Sequence, residues 1–351
     1  MQMKIKEHRT VSTVLTLIIF LSVCGGMLII GEVVIRNIFA DVTTTADNSS
    51  FFARKWKEQQ RINHLGFRER EFSIPKKRGN FRIAVIGDSL TYGQGVDEDE
   101  RFSNLLESKL RKFYDGVEVL NFGRPGAETG DHVVILKDVV TKIAPDFILL
   151  QWFINDVEGM GGMARQRPMR LIPSDRLSSW LHQNSALFFL LNQQWVALQG
   201  SLGLVENYPD YMVRKFGNPT NHESQRAVED LKEFIVECRQ QNIEIGIVLF
   251  PALSRSSSEG YPFDFLHERV LEQCESANIP CLDLRDAFGK VDHNDVRQLW
   301  ANRLDPHPGQ LAHRMASQEI LKVFGKIWQE RIGQQFSQYI KRDKNVQRRE
   351  R

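Results

Sequence analysis

The chain has 351 residues, 42% hydrophobic and 26% charged, a composition that excludes a disordered or fibrous protein and allows one large domain or two ordinary ones. Its net charge of +2 gives no reason to expect a nucleic-acid partner. The four cysteines form no C-x-x-C pair and no Cys/His cluster with metal-ligand spacing, so neither a metal nor another cofactor is expected.

The first predicted element is a membrane helix. Val11 to Gly31 contains no charged residue and is dominated by Leu, Ile, Val and Phe. That length meets the roughly 20 apolar residues needed to cross a bilayer core. Lys4, Lys6 and Arg9 precede it, which predicts a cytoplasmic N-terminus over 1–10, an anchor over 11–35 and a catalytic domain on the periplasmic or extracellular side. A cleaved signal peptide is the rival reading; it predicts a shorter apolar core of about 7–15 residues and a small-residue cleavage site, which Ile38-Phe39-Ala40 matches poorly. Residues 36–80 read as a stalk and lead-in, because Asp41–Ser50 is rich in Thr and Ser and Lys55–Gln60 is charged.

From Phe81 the pattern alternates. Strand-type runs at Arg82–Ile86, Val117–Leu120, Phe147–Trp152, Glu244–Phe250 and Pro280–Leu284 are separated by helical patterns near 101–114, 131–143, 225–240, 264–277 and 309–330. Strands alternating with helices predict an α/β domain over 81–335, a parallel sheet covered by helices on both faces. An insertion over 157–222 interrupts the rhythm. It begins in the glycine-rich run Glu158–Met163 and then turns apolar through Trp180, Leu181, Leu187, Phe188, Phe189, Leu190, Leu191 and Trp195. It reads either as ordinary helix packing or as a lid, acyl-chain or membrane-facing surface. Cys274 and Cys281 are near enough in sequence for a disulfide, and three separate buried thiols, counting Cys238, are the alternative. The basic end, 336–351, reads as a disordered tail.

Chemistry concentrates where strands end, the edge at which open α/β sheets bind ligands. The first strand breaks into Gly87-Asp88-Ser89-Leu90, so Ser89 reads either as a helix cap or as a nucleophile. The second is followed by Asn121-Phe122-Gly123-Arg124-Pro125-Gly126, where glycine permits close approach of a ligand to a backbone N–H. Asn155-Asp156 follows the third, and Asn155 has a side-chain amide that can donate to an oxyanion. Near the C-terminus Leu304-Asp305-Pro306-His307-Pro308-Gly309 offers an acid and a base in a loop stiffened by proline.

In that order these four blocks resemble the SGNH hydrolases, also called the GDSL esterases and lipases. The resemblance covers roughly residues 81–330 and implies a flavodoxin-like three-layer α/β/α domain that hydrolyses or transfers acyl esters. It implies Ser89 as nucleophile, His307 as base and Asp305 as the acid that orients it. The implied oxyanion donors are the Ser89 N–H, the Gly126 N–H (Gly123 being the other candidate) and the Asn155 side chain; His313, on the following helix, is set aside as base. Two positions depart from the family pattern. Phe153 stands where the family often has Gly, and Asp305-Pro306-His307 replaces Asp-x-x-His, with Leu304 at the usual acid position. The G-x-S-x-G elbow of α/β-hydrolases is excluded by Thr91 two places after Ser89. The expected substrate is an acylated carbohydrate, with O-acetyl as the group, or a lipid ester. An O-acetyltransferase with the same residues and a catalytically inactive binding protein on the same fold are the alternatives.

Overall fold

The computed structural model describes residues 2–47, 49–158, 168–253, 260–291 and 293–349. Five strands, β1 (Phe81–Gly87), β2 (Val117–Gly123), β3 (Phe147–Trp152), β4 (Glu244–Leu249) and β5 (Cys281–Asp283), form a parallel sheet in the order β2-β1-β3-β4-β5. The first three are buried along their whole length, as their near-continuous apolar sequences require. Alternation along each strand divides the core. Ala84 and Ile86 of β1 face the cluster built with α5 (Thr129–Asp138), α9 (His222–Gln240) and α10 (Asp264–Ser276). Ile83 and Val85 face the opposite cluster, built with α4 (Phe102–Leu110), α11 (Arg285–Phe288) and α12 (Gln310–Arg349). This is the expected three-layer α/β/α architecture.

One fully buried charge belongs to this frame. The Arg82 guanidinium on β1 is satisfied by Glu118 (2.7 Å) and by the carbonyls of Ile143 (2.8 Å) and Ser73 (3.0 Å), so the strand carries a cation at no loss of hydrogen bonding. The tail expected to be disordered instead continues α12 to Arg349, consistent with the good helix propensity of Lys, Arg and Gln. Cys238 and Cys274 are buried free thiols, and Cys281, also free, lies beside Cys274.

The expected stalk is the larger correction. The apolar helix α1 runs Gln2–Ile38, with Val14–Ile38 long and apolar enough to cross a membrane. Beyond it the chain packs onto the domain at once. Val42, Thr44, Thr45, Ser50, Phe52 and Trp56 are buried, the last two on α2 (Phe51–Glu58). The Thr/Ser-rich composition that suggested solvated spacer serves internal hydrogen bonds. Thr45 and Ser50 share one at 2.7 Å, Ser50 caps α2 by accepting from Ala53, and Asn302 donates to the Thr44 carbonyl at 3.0 Å.

The insertion folds as α6 (Asp175–Asn184), α7 (Ala186–Ser201) and α8 (Tyr208–Phe216); residues 159–167, which hold most of the glycine-rich run, lie outside the described residues. Phe188 and Phe189 are buried, and Phe189 meets the Phe52 ring edge-on at 5.5 Å. Phe189 therefore joins the insertion to α2, and neither phenylalanine is part of an exposed surface.

Two buried histidines make stability acid-sensitive. His132 on α5 and His313 on α12 are fully buried, and burial pushes each imidazole down to about 3; at His313 the nearby Arg101 and Arg68 add to this. The folded protein keeps both rings neutral, whereas the unfolded chain protonates them below about 6.5. Stability is therefore intact above that value and lost as the pH falls toward 3. Between pH 7 and 5 each ring is expected to cost about 2 kcal/mol. Denaturant midpoints of the full chain in detergent should fall over that interval, and the double variant His132→Gln, His313→Gln should fall less steeply.

Candidate active site

Ser89 opens the short helix α3 (Ser89–Tyr92) at the carboxyl end of β1. Asp88 caps that helix, its Oδ1 accepting from the Leu90 N–H at 2.9 Å. So the capping role that sequence reading offered Ser89 belongs to its neighbour. The turn is held from beneath by Gln151 of β3, whose Oε1 accepts from the Asp88 N–H (3.2 Å), the Thr91 N–H (3.2 Å) and the Thr91 hydroxyl (2.7 Å). Only glycine fits at position 87, because a Cβ there would stand 2.4 Å from that Oε1. Arg68 of the lead-in braces the far side through the carbonyls of Gly93 (2.7 Å) and Val96 (2.8 Å).

Asp305 and His307 do not sit in an irregular loop. They lie on β7 (Asp305–Pro308), paired antiparallel with β6 (Trp300–Asn302) as a small separate ribbon. In an extended strand residues i and i+2 point to the same side. The two-residue spacing thereby does what a three-residue spacing does in a turn. His307 Nδ1 lies 2.6 Å from Asp305 Oδ1, and His307 Nε2 lies 2.9 Å from Ser89 Oγ. The same Oδ1 accepts the His307 backbone N–H at 3.2 Å, which ties the carboxylate to the strand as well as to the ring.

Asp305 is fully buried. Burial alone would raise its carboxyl, but the hydrogen bond and charge of His307, with the Thr44 hydroxyl beside it, hold it below the ordinary carboxylate range. A depressed carboxyl keeps its charge at neutral pH, so the Asp–His contact is lost only in acid.

Ser89 and His307 open into a cavity of about 580 Å³ together with Gly126 and Asn155. The structure thus brings Ser89, His307, Asp305, Gly126 and Asn155 to one place and separates them from two other candidates. Gly123 is packed under the helix that carries Ser89, where a Cβ would fall 2.1 Å from the Tyr92 nitrogen. Gly126 has φ +77°, with open space where a Cβ would stand. His313 is buried, stacks on Phe102 at 5.8 Å and accepts from the Phe102 N–H at 3.2 Å. The Asn155 amide stands beside the Asp88 carboxyl and helps offset its charge, although burial raises Asp88 overall.

Sequence reading missed four parts of the site. Gln151 is the one polar side chain in the run Phe147–Trp152, and a buried amide interrupting an apolar strand was the available signal. Phe153 forms cavity wall where the family often has glycine. Tyr208 of the insertion donates to Glu158 at 3.0 Å on the cavity rim. Ala46, from the segment after α1, also lines the cavity, and Thr45 fixes it there by accepting from Gln94 Nε2 at 2.7 Å. No local motif announces Tyr208 or Ala46.

Comparison with known proteins adds a family. A family model described as GDSL-like Lipase/Acylhydrolase matches residues 85–315. Among solved structures the chain is similar to an acetyl xylan esterase, at 17% identity over 69% of this chain and 98% of that one, with TM-score 0.44. It is similar to a member of the lipolytic G-D-S-L family from Veillonella parvula, at 15% identity over 70% and 98%, with TM-score 0.43. An acetylxylan esterase from Geobacillus stearothermophilus gives 17% identity over 72% and 98%, with TM-score 0.44. No curated protein matches.

Proposed function

The chain belongs to the GDSL-like lipase/acylhydrolase family and is a carboxylic ester hydrolase; from this premise we propose that it works through an acyl-serine at Ser89. The observation that carries the reading is the unbroken hydrogen-bonded series from Asp305 through His307 to Ser89 at the cavity. Ser89 Oγ attacks the ester carbonyl carbon while His307 Nε2 takes its proton. The oxyanion is held by the Ser89 and Gly126 N–H groups and by Asn155. Collapse breaks the bond to the leaving oxygen, which takes the proton back from His307 and departs as the alcohol. Water then attacks the acyl-serine with the same base, releasing the acid and restoring Ser89.

Fluorophosphonate labelling of the full chain in detergent tests the reading. A live Ser89 forms a covalent adduct, and an inactive relic of the fold does not. The one sequence feature that favoured a relic was the shortened Asp–His spacing, and an extended strand accommodates that spacing without displacing either side chain. Replacing Asn155 by Ala is expected to lower kcat by about 10²–10³-fold, the usual cost of one oxyanion donor, with the fold retained. Near-native turnover of an aryl acetate by this variant would remove Asn155 from the oxyanion site.

For the substrate we favour an O-acyl ester, O-acetyl first, on a carbohydrate outside the cytoplasm, because the flanking charges of α1 orient the domain outward. A lipid ester is the second reading, favoured by the apolar cavity walls at Phe153, Ile154 and Leu253. Transfer of the acyl group to a sugar hydroxyl would use the same residues, the acceptor replacing water. Turnover of aryl esters of graded chain length, with and without a sugar acceptor, separates the three.

A further inference from the structure

The insertion is not joined to the domain alone; it is fastened to the end of the apolar helix. Glu32 of α1 accepts from the Ser185 hydroxyl (2.7 Å) and from the backbone N–H groups of Ala186 and Leu187 (2.9 Å each), so a carboxylate from α1 caps α7. Arg36, one turn on, donates to the Asn184 carbonyl at 3.2 Å. Leu187 packs so closely on Gly31 that an added methyl would stand 3.1 Å from its Cδ2. The turn between α6 and α7 is therefore fixed at Gly31–Arg36, the point where the uncharged run of α1 ends.

From that turn an uncovered apolar surface spreads along both helices. Leu177 and Trp180 lie one turn apart on α6, and Trp180 is 58% exposed. Leu191 and Leu198 share one face of α7, each 48% exposed, and continue the line begun by Leu187 against α1. Arginines surround the same helix end. Arg36 stacks on Phe51 at 4.6 Å, Arg54 donates to the Asn184 side chain at 3.3 Å, and Arg303 stacks on Phe39 at 4.2 Å. A tryptophan among leucines, continuous with a membrane span and bordered by arginines, has the composition of a bilayer interface, where phosphate groups meet acyl chains.

We propose that the α6–α7 face is seated in the outer interface of the bilayer that α1 spans, its bordering arginines paired with Glu32, Glu58 and Asp41, so that the catalytic domain lies on the membrane surface and not on a stalk. This rests on the reading of α1 as an uncleaved anchor. The chain also permits little separation. Ala46, in the cavity wall, is eight residues past Ile38, at most about 29 Å even if fully extended. The site therefore meets esters presented at the lipid surface.

The test uses the full chain reconstituted into vesicles of phosphatidylcholine and phosphatidylglycerol, with the lipid brominated either near the headgroup or near the chain ends. The contribution of Trp180 is the fluorescence difference between wild type and Trp180→Phe. It is expected to be quenched by the shallow bromines and less by the deep ones. A Trp180 equally bright in brominated and plain vesicles overturns the proposal, and if Trp180 is then found cross-linked to a second copy, that face is a dimer interface. An intact mass lacking α1 overturns it as well. Fluorophosphonate labelling of the same samples reports Ser89 separately, so failure of the hydrolase reading leaves the quenching result standing.

Discussion

Ser89→Ala is expected to lower kcat for ester hydrolysis by about 10⁶-fold and to abolish the fluorophosphonate adduct while leaving the protein folded. The magnitude follows from what is removed. The base, its acid and the oxyanion donors act as a unit with the nucleophile, and losing the nucleophile costs nearly as much as losing the whole set. What remains is binding in the cavity and stabilisation of the oxyanion, typically about 10³–10⁴ over the reaction in water. The fold should not suffer, because Ser89 is not the cap of its own helix. Asp88 holds the Leu90 N–H, and Gln151 holds Thr91 and the Asp88 backbone. The side-chain hydrogen bond that this substitution removes is the 2.9 Å contact with His307. Single-turnover assays with an aryl acetate, with intact mass for the adduct, provide the measurement. Wild-type turnover by this variant would refute the mechanism, and an adduct at another residue would move the nucleophile.

The frame of this molecule was open to sequence reading because parallel strands buried on both faces are near-continuous apolar runs, and β1, β2 and β3 each announce themselves in that way. The chemical residues were legible for a related reason. Each stands directly after such a strand or, for His307, between two prolines. What was hidden depends on distant packing. The segment after α1 looks like solvated spacer when Thr44, Thr45 and Ser50 are taken one at a time, since nothing local shows that Asn302 and Gln94 will meet it. Gln151 was hidden within a strand pattern that remained strand, although its amide oxygen holds the turn that carries Ser89. The β6–β7 ribbon was unreadable because strands of three and four residues leave no periodicity to detect. That ribbon also explains why the departure from Asp-x-x-His misleads. Spacing along a chain has geometric meaning only once the backbone conformation is known.

The sharpest consequence is at Asp305, where Asn is expected to lower kcat by about 10⁴-fold with little change in stability of the fold. In the wild type the carboxylate accepts from His307 Nδ1 at 2.6 Å, which leaves Nε2 unprotonated and able to take the Ser89 proton. An Asn side chain can turn its amide N–H toward Nδ1 instead. The ring is then held in the other tautomer, with a proton already on Nε2, and the charge that would stabilise the imidazolium is gone. Asp305→Ala should be similarly impaired, because a vacant carboxylate position neither selects the tautomer nor offsets the charge. Restoring the family spacing should not help. In Leu304→Asp combined with Asp305→Asn the new carboxylate would lie beside Val42, Phe52 and Phe189, the cluster against which Leu304 packs, and not beside His307. Comparing kcat for the three variants with an aryl acetate, at equal concentrations of folded protein, is the measurement. If Asp305→Asn turns over at the wild-type rate, a backbone carbonyl orients His307; if the double variant regains activity, β7 does not hold the register seen here. Because Oδ1 also binds the His307 backbone N–H at 3.2 Å, the acid and the base are fixed to each other by the strand that carries them, and a spacing of two residues is what an extended backbone requires.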